Sequence, residues 1–121
     1  MEITNEFMMS MLGKSRQYTV LILRMTDKYD RTASRDSEQG RTIWQHGKRN
    51  FELRESGKLA LVGPLLEPPY AGLGVFATDR AEAEAIMRGD PAIQAGLFSM
   101  EFVPWRAFPG DALPPMDPPA V

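Results

Sequence analysis

The stretch from Trp44 to Pro64, WQHGKRNFELRESGKLALVGP, constrains the fold most, because it joins a helical segment to a strand through one glycine. The helical segment carries His46, the only histidine of the chain. Gly57 follows the helix and can take the left-handed conformation that closes a last helical turn. The segment from Lys58 to Val62 then has the character of a buried strand, and Gly63-Pro64 ends it.

The helix that contains His46 has an unusual mixture of residues on one side. Near that side of the helical wheel lie Ile43, Gly47, Asn50 and Arg54. Because Asn50 and Arg54 are poor core residues, we expect this helix to line a cavity rather than fill a core. The helix is predicted to begin at Thr42, after a polar connector over residues 26–41.

The other segments complete the order strand, helix, strand, strand, helix, strand. Gln17 to Met25, QYTVLILRM, has no Gly or Pro and is typical of a central strand. Further strands are predicted over 71–78 and 97–106, and a helix between them begins at a capping box from Asp79 to Glu82. This order predicts a ferredoxin-like α+β domain, βαββαβ, with helices on one face of an antiparallel sheet. Since the first strand is apolar on both faces, a twin sheet in a homodimer is expected to cover the other face.

Three regions are predicted: an N-terminal extension over 1–16, the ferredoxin-like domain over 17–108 and a proline-rich tail over 109–121. The extension has an apolar stripe with helical spacing, which favours packing on the body; a membrane or partner contact is the alternative. The tail holds five of the ten prolines and has too few apolar residues for a core. A loose chain end is therefore expected there.

Composition narrows the range of partners and cofactors. The 14 Lys and Arg residues against 16 Asp and Glu give a net charge of −2, which offers no electrostatic reason to bind nucleic acid. The chain has no cysteine, and one histidine with scattered carboxylates does not have a metal-ligand spacing. No P-loop, GxGxxG or GxSxG motif occurs, so no cofactor is expected. Without a secretory signal or a membrane-length apolar run, we expect a soluble, cytoplasmic protein.

His46 and Asp90 are the candidates for chemistry. Histidine is the side chain whose ordinary pKa suits proton transfer near neutrality, although a surface or capping histidine is the alternative. Asp90 precedes Pro91, and this dipeptide is typical of a helix start, with Gly96 closing the turn. If the Asp90 carboxylate meets the His46 ring, it fixes the ring tautomer and favours the imidazolium.

Aromatic and glycine residues indicate a binding surface less specifically. Core and interface packing is the favoured role of Trp44, Tyr70 and Trp105; an aromatic wall against a ring-shaped substrate is the alternative. Gly72 and Gly74 within a predicted strand indicate a bulge or the close approach of another backbone or a ligand.

Several short motifs occur together in a recognisable order. They are His46, Gly57, Leu59, Gly63-Pro64, Asp90-Pro91, Gly96-Leu97-Phe98 and Val103-Pro104-Trp105. In this order the chain resembles the YciI-like (YCII-related domain) family over about Tyr18 to Phe108. The resemblance implies a ferredoxin-like fold that pairs into a dimeric α+β barrel, with His46 and Asp90 in an active-site cleft. From the residues themselves, substrate contacts are expected at Gly63 and Pro64, where the strand ends, and at Asn50 and Trp105.

The resemblance assigns no reaction, since the wider superfamily includes isomerases, dehydrochlorinase-type enzymes and monooxygenases. The hypothesis is a homodimeric small-molecule enzyme in which His46 and Asp90 perform general acid/base chemistry of an isomerase, lyase or hydrolase type. The alternative is a non-catalytic dimeric module that binds a ligand or is structural. A cofactor-independent oxygenase is disfavoured, because Asn50 and Arg54 are too polar for an apolar substrate cavity.

Overall fold

A computed structural model of the chain describes residues 1–120. Residues 17–105 form one compact unit, and residues 1–16 with those from 106 onward form a second. The secondary structure elements are α1 (Asn5–Lys14), β1 (Arg16–Met25), α2 (Glu38–Glu55), β2 (Leu59–Pro64), β3 (Tyr70–Phe76), α3 (Arg80–Arg88), α4 (Pro91–Gln94) and β4 (Phe98–Ala107). No helix among residues 1–120 is long and apolar enough to cross a membrane.

The four strands form one antiparallel sheet in the order β2-β3-β1-β4. Both β1 and β2 pair with β3 in antiparallel fashion, and Leu21 of β1 lies opposite Gly74 of β3. Helices and this sheet make an α+β fold, so the predicted ferredoxin-like order is confirmed. The short helix α4 adds one turn between α3 and β4.

The core lies on the sheet face that α2, α3 and α4 cover. Alternation along β1 buries Thr19, Leu21 and Leu23 on that face and leaves Val20 and Ile22 half-buried on the other. The main core cluster consists of Leu21, Leu23, Leu59, Phe76, Ala83, Met87, Ala92, Leu97 and Phe98. Full burial of a large apolar side chain contributes about 1.5–3 kcal/mol.

The glycines of β3 allow side chains of neighbouring strands to approach closely. A Cβ added at Gly74 would lie 3.2 Å from Cδ1 of Leu59 and 3.8 Å from Cβ of Leu21. A Cβ at Gly72 would lie 3.5 Å from Cδ1 of Leu23. The nearest approaches are made by leucine side chains of β1 and β2, and the approach of a ligand stays a prediction.

Helix α2 begins at Glu38, so the predicted start at Thr42 was wrong. Ser37 caps the helix, and its hydroxyl accepts a hydrogen bond of 3.0 Å from the Gly40 N–H. The first turn is polar and contains no buried residue, so the helical spacing of apolar residues that marks a helix in a sequence is absent there. At the other end, Gly57 has φ of +84°, which confirms the predicted left-handed residue after the helix.

The N-terminal helix α1 forms as predicted. The hydroxyl of Thr4 accepts a hydrogen bond of 3.1 Å from the Phe7 N–H, which caps its first turn. None of its residues is buried, and Phe7, Met8 and Leu12 are each nearly half exposed. Packing of its apolar stripe on the body stays a prediction.

The core should tolerate truncation poorly, which a pair of leucines can test. Leu97 is 7% exposed and Leu66 is 92% exposed. Leu97→Ala should lower the free energy of unfolding by about 2–5 kcal/mol, because a buried cavity is created. Leu66→Ala should change it by less than about 0.5 kcal/mol. Urea unfolding followed by circular dichroism measures both, and equal effects would contradict the assigned core.

Candidate active site

A cavity of about 380 Å³ lies between α2 and the face of the sheet that this helix covers. Its floor includes Gly72 and Gly74, where no side chain projects from the sheet, and its wall includes α2. The large residues that line it are mostly apolar: Leu21, Leu23, Met25, Tyr29, Ile43, Phe51, Leu59, Val62, Leu65, Leu73, Phe76, Met87 and Phe98. Among these apolar walls, α2 contributes two polar side chains, His46 and Asn50. The cavity thus combines an apolar space with a small polar centre.

The polar centre is built on a hydrogen bond between the side chains of His46 and Asp90. Nδ1 of His46 lies 2.7 Å from Oδ2 of Asp90, although the residues are 44 positions apart in the sequence. The Asp90 side chain is fully buried, and the His46 side chain is 12% exposed. A hydrogen bond of this length and burial fixes the imidazole ring in one orientation.

Asp90 divides its two carboxylate oxygens between two tasks. Oδ1 accepts hydrogen bonds from the backbone N–H groups of Ala92, at 2.9 Å, and Ile93, at 3.2 Å. These bonds cap α4, which confirms the helix start predicted from Asp90-Pro91. Oδ2 holds His46, so capping and pairing, which the sequence left as alternatives, occur together.

The charge state of Asp90 follows from its surroundings. Burial by itself raises the pKa of the Asp90 carboxyl, but the hydrogen bond from His46, the charge of that ring and the two α4 N–H groups outweigh burial and hold the pKa below its ordinary value. The carboxyl group is therefore ionised at neutral pH. An ionised carboxylate can only accept, so Nδ1 of His46 carries the proton that they share.

Asn50 completes the polar centre. It lies one turn after His46 on α2, and its Nδ2 is 3.2 Å from Nε2 of the ring. With the proton on Nδ1, Nε2 of a neutral ring is an acceptor and the Asn50 amide donates to it. The ring also contacts Phe98 edge to face, with centroids 5.5 Å apart, and Phe98 stacks on Tyr29 at 5.6 Å. The imidazole is thus held by a hydrogen bond at each nitrogen and by its contact with Phe98.

The predicted site residues do not all meet at this cavity. It is lined by His46, Asn50, Gly63 and Pro64. Asp90 does not line it but holds the His46 ring. Trp105 does not line it. Counting from Phe98, which faces the core, alternation along β4 puts Trp105 on the opposite face, where it is 44% exposed.

Neither Arg54 nor the candidate aromatic wall is part of the cavity lining. Arg54 does not line the cavity, because its guanidinium lies over the ring of Phe51 at 4.8 Å from the centroid. The aromatic wall does not form: Tyr70 lies under Arg24 at 5.3 Å, and neither Tyr70 nor Trp44 lines the cavity.

Arg49, which precedes Asn50, points elsewhere. Its Nη2 donates a hydrogen bond of 2.6 Å to the Ile86 carbonyl near the end of α3. A Cβ at Gly89 would lie 2.8 Å from the same nitrogen, so the glycine leaves room for the guanidinium. Arg49 therefore joins α2 to α3 and is not part of the cavity wall.

Sequence reasoning missed Tyr29 and Phe51 of the wall. Tyr29 falls in the polar connector before α2, where no periodicity indicates it. Gly47 and Phe51 follow Ile43 at successive intervals of four residues on α2, a spacing that places all three along one ridge of the helix. That spacing is the signal by which Phe51 could have been found, since Ile43 and Gly47 were already placed on this side of the helix.

The fold and the buried histidine–aspartate pair define the class of protein: a small ferredoxin-like α+β domain with a ligand-sized cavity. The sequence profile of the YCII-related domain matches residues 19–106 of the chain. The protein therefore belongs to the YCII-related domain family. The comparison with curated proteins found no match. No group of three or more potential metal ligands from His, Cys, Asp and Glu occurs among residues 1–120.

The depressed pKa of Asp90 gives a prediction about acid stability. Because the pKa is lower in the folded state than in the unfolded one, ionised Asp90 stabilises the fold above about pH 3.9, the ordinary value for aspartate. This stabilisation is lost as the pH falls through the lower, folded-state pKa. Asp90→Asn should therefore show less loss of stability between about pH 5 and pH 2 than the unaltered protein.

Urea unfolding over this pH range measures the effect. Asp111, an exposed residue of the proline-rich tail, provides the control, because Asp111→Asn should keep the full acid dependence. An Asp90→Asn variant with the same acid dependence as the unaltered protein would show that the carboxylate is not held in this way.

Proposed function

We propose that the cavity is the active site of a small-molecule enzyme in which His46, held by Asp90, acts as general base and general acid. The observation that carries the proposal is the 2.7 Å bond between Nδ1 of His46 and a fully buried carboxylate at the wall of a ligand-sized cavity. Cavities of about 300–1,000 Å³ that are apolar apart from a few polar groups are typical of small-molecule sites. The reaction belongs to an isomerase, lyase or hydrolase type, in which a proton moves without a change of oxidation state.

The arrangement supports a defined proton path. Asp90 keeps the proton on Nδ1, which leaves the lone pair of Nε2 directed away from the carboxylate. A substrate C–H or O–H that replaces the Asn50 amide at Nε2 transfers its proton to the ring, and the electron pair stays on the substrate. The resulting imidazolium is stabilised by Asp90 and returns the proton to another substrate atom, to a leaving group or to the product of water attack.

The walls of the cavity restrict the substrate. Apart from His46 and Asn50, the α2 side chains on the wall are apolar, namely Ile43 and Phe51. A small, largely apolar molecule with one carbonyl or hydroxyl group near His46 fits this environment. The displaced Asn50 amide is then available to donate to that oxygen.

Turnover should depend on His46. His46→Asn should lower proton-transfer activity by on the order of 10²–10⁴, the usual contribution of general acid/base catalysis. The measurement is exchange of substrate protons for deuterium in D₂O, followed by NMR over a panel of small ketones, lactones and esters. Exchange detects proton abstraction even where no net product forms.

The control variant is Gln45→Asn, which alters an exposed α2 residue adjacent to His46 and outside the cavity lining. Its exchange rate should equal that of the unaltered protein, because it changes the helix but not the imidazole. A His46→Asn variant that is folded by circular dichroism and exchanges protons at the unaltered rate would remove the basis of the proposal.

A ligand-binding module without catalysis is the second candidate. The Asn50 amide favours it, because this group already donates to Nε2, the nitrogen that a catalytic base needs. The same panel separates the two candidates. Compounds that raise the melting temperature but never exchange protons support binding alone, whereas exchange that requires His46 supports catalysis.

We also propose that the chain forms a homodimer through the sheet face away from the helices. This face carries half-buried Val20 and Ile22 beside Val103, which is 39% exposed. An apolar sheet face of this kind is costly in water and is normally covered. Covering by a twin sheet agrees with the dimeric α+β barrel expected from the family resemblance.

Light scattering with size-exclusion chromatography tests the dimer. Val103→Glu, outside the cavity lining, should shift the protein toward the monomer, because a charge would be buried in the interface without a partner. Leu66→Glu, at an exposed turn, is the control and should leave the oligomeric state unchanged. A monomeric unaltered protein would refute the proposal directly.

A further inference from the structure

A groove of about 480 Å³ lies next to the His46 cavity, along helix α2. Its lining comes from α2 and from the segment that precedes it: Tyr29, Ala33, Ser34, Arg35, Gln39, Gly40, Ile43, Trp44, Gly47, Lys48 and Phe51. Tyr29, Ile43, Gly47 and Phe51 line both this groove and the His46 cavity. The two spaces are therefore neighbours that share one wall.

Gly47 makes a gap in that wall. Ile43, Gly47 and Phe51 are four residues apart in turn, so they form one ridge along α2. A Cβ added at Gly47 would meet no atom within 4 Å, so packing does not require a glycine there. Gly40 is different, since a Cβ there would collide with the Arg35 carbonyl oxygen. A glycine inside a helix is destabilising, and at position 47 it leaves no side chain between Ile43 and Phe51 in the wall that the two spaces share.

The groove has a chemical character that the His46 cavity lacks. Its charged lining residues are Arg35 and Lys48, both basic, and neither forms an ion pair with a carboxylate among residues 1–120. Beside them, Trp44 is 60% exposed and Phe51 is 53% exposed. Exposed aromatic rings next to unpaired basic groups suit a ligand arm that has an apolar stem and an anionic end.

We propose that the ligand of the His46 cavity extends over Gly47 into this groove, where Lys48 and Arg35 bind its anionic end. The substrate class is then an amphiphilic small molecule, with an apolar reacting part at His46 and a carboxylate or similar anion at the far end. The assignment of the reacting end rests on the proposed function; the path over Gly47 and the anion subsite do not. Gly47 is accordingly a residue that determines the length of ligand accepted.

Tethering tests the path without a known substrate. The chain has no cysteine, so Lys48→Cys introduces a single thiol in the groove. Alkyl methanethiosulfonates attach arms of increasing length, as the thiolate forms a disulfide with the alkylthio group and methanesulfinate leaves. The readout is the methyl NMR signals of Met25 and Met87, which line the His46 cavity but not the groove.

Hexyl and octyl arms should shift these methyl signals, and an ethyl arm should not. Adding Gly47→Leu should abolish the shift, whereas Gly47→Ala should weaken it and Gln45→Leu, outside both linings, should leave it unchanged. If no arm shifts the signals, or if the Gly47→Leu protein responds like its parent, the path over Gly47 is wrong. The same shifts in a His46→Asn background would show that the path is independent of proton transfer.

Calorimetric titration with octanoate and octan-1-ol tests the anion subsite. Octanoate should bind more tightly than octan-1-ol, and Lys48→Gln or Arg35→Gln should each weaken octanoate binding by about two- to fivefold, as expected for an exposed ion pair. Octan-1-ol binding should stay unchanged in both variants. The subsite would be overturned by equal binding of the two compounds or by failure of octanoate to bind. It would also be overturned if octanoate bound both variants as tightly as the unaltered protein.

Discussion

The buried carboxylate of Asp90 is the constraint on which the arrangement of the site depends. A fully buried charge is costly unless hydrogen bonds replace its water, and here three donors do so: the His46 ring and two backbone N–H groups of α4. Removing one of these donors would leave the buried charge incompletely hydrogen-bonded, which is strongly destabilising. The bond from His46 therefore joins α2 to α4 and orients the imidazole at the same time.

The cavity exists because the elements around the pair leave space. Gly72 and Gly74 remove side chains from the sheet beneath α2, and α2 itself has no fully buried residue. A helix with a continuous apolar face would have filled this space and produced only core. The fixed ring, the apolar walls and the open volume thus come from separate local features of the sequence that the fold brings together.

The sequence predicts those features that local chemistry marks. Gly57, the Asp90 cap and the order of strands each leave a signal of a few neighbouring residues, and the family resemblance identified His46 and Asp90 as partners. The polar start of α2 and Tyr29 left no such signal, because neither lies in a periodic run. Trp105 and Arg54 were misjudged for a different reason: their residue types suit a site, but strand alternation and a contact with Phe51 direct them away from it.

The double role of the Asp90 carboxylate has an evolutionary consequence. Since one oxygen caps α4 whether or not a histidine is present, selection for folding alone would preserve aspartate at this position. Under the proposed function, a relative that had lost the activity would keep the Asp-Pro pair while positions 46 and 50 were free to change. The residues at positions 46 and 50 would then report on the proposed chemistry, whereas the aspartate would chiefly report on the fold.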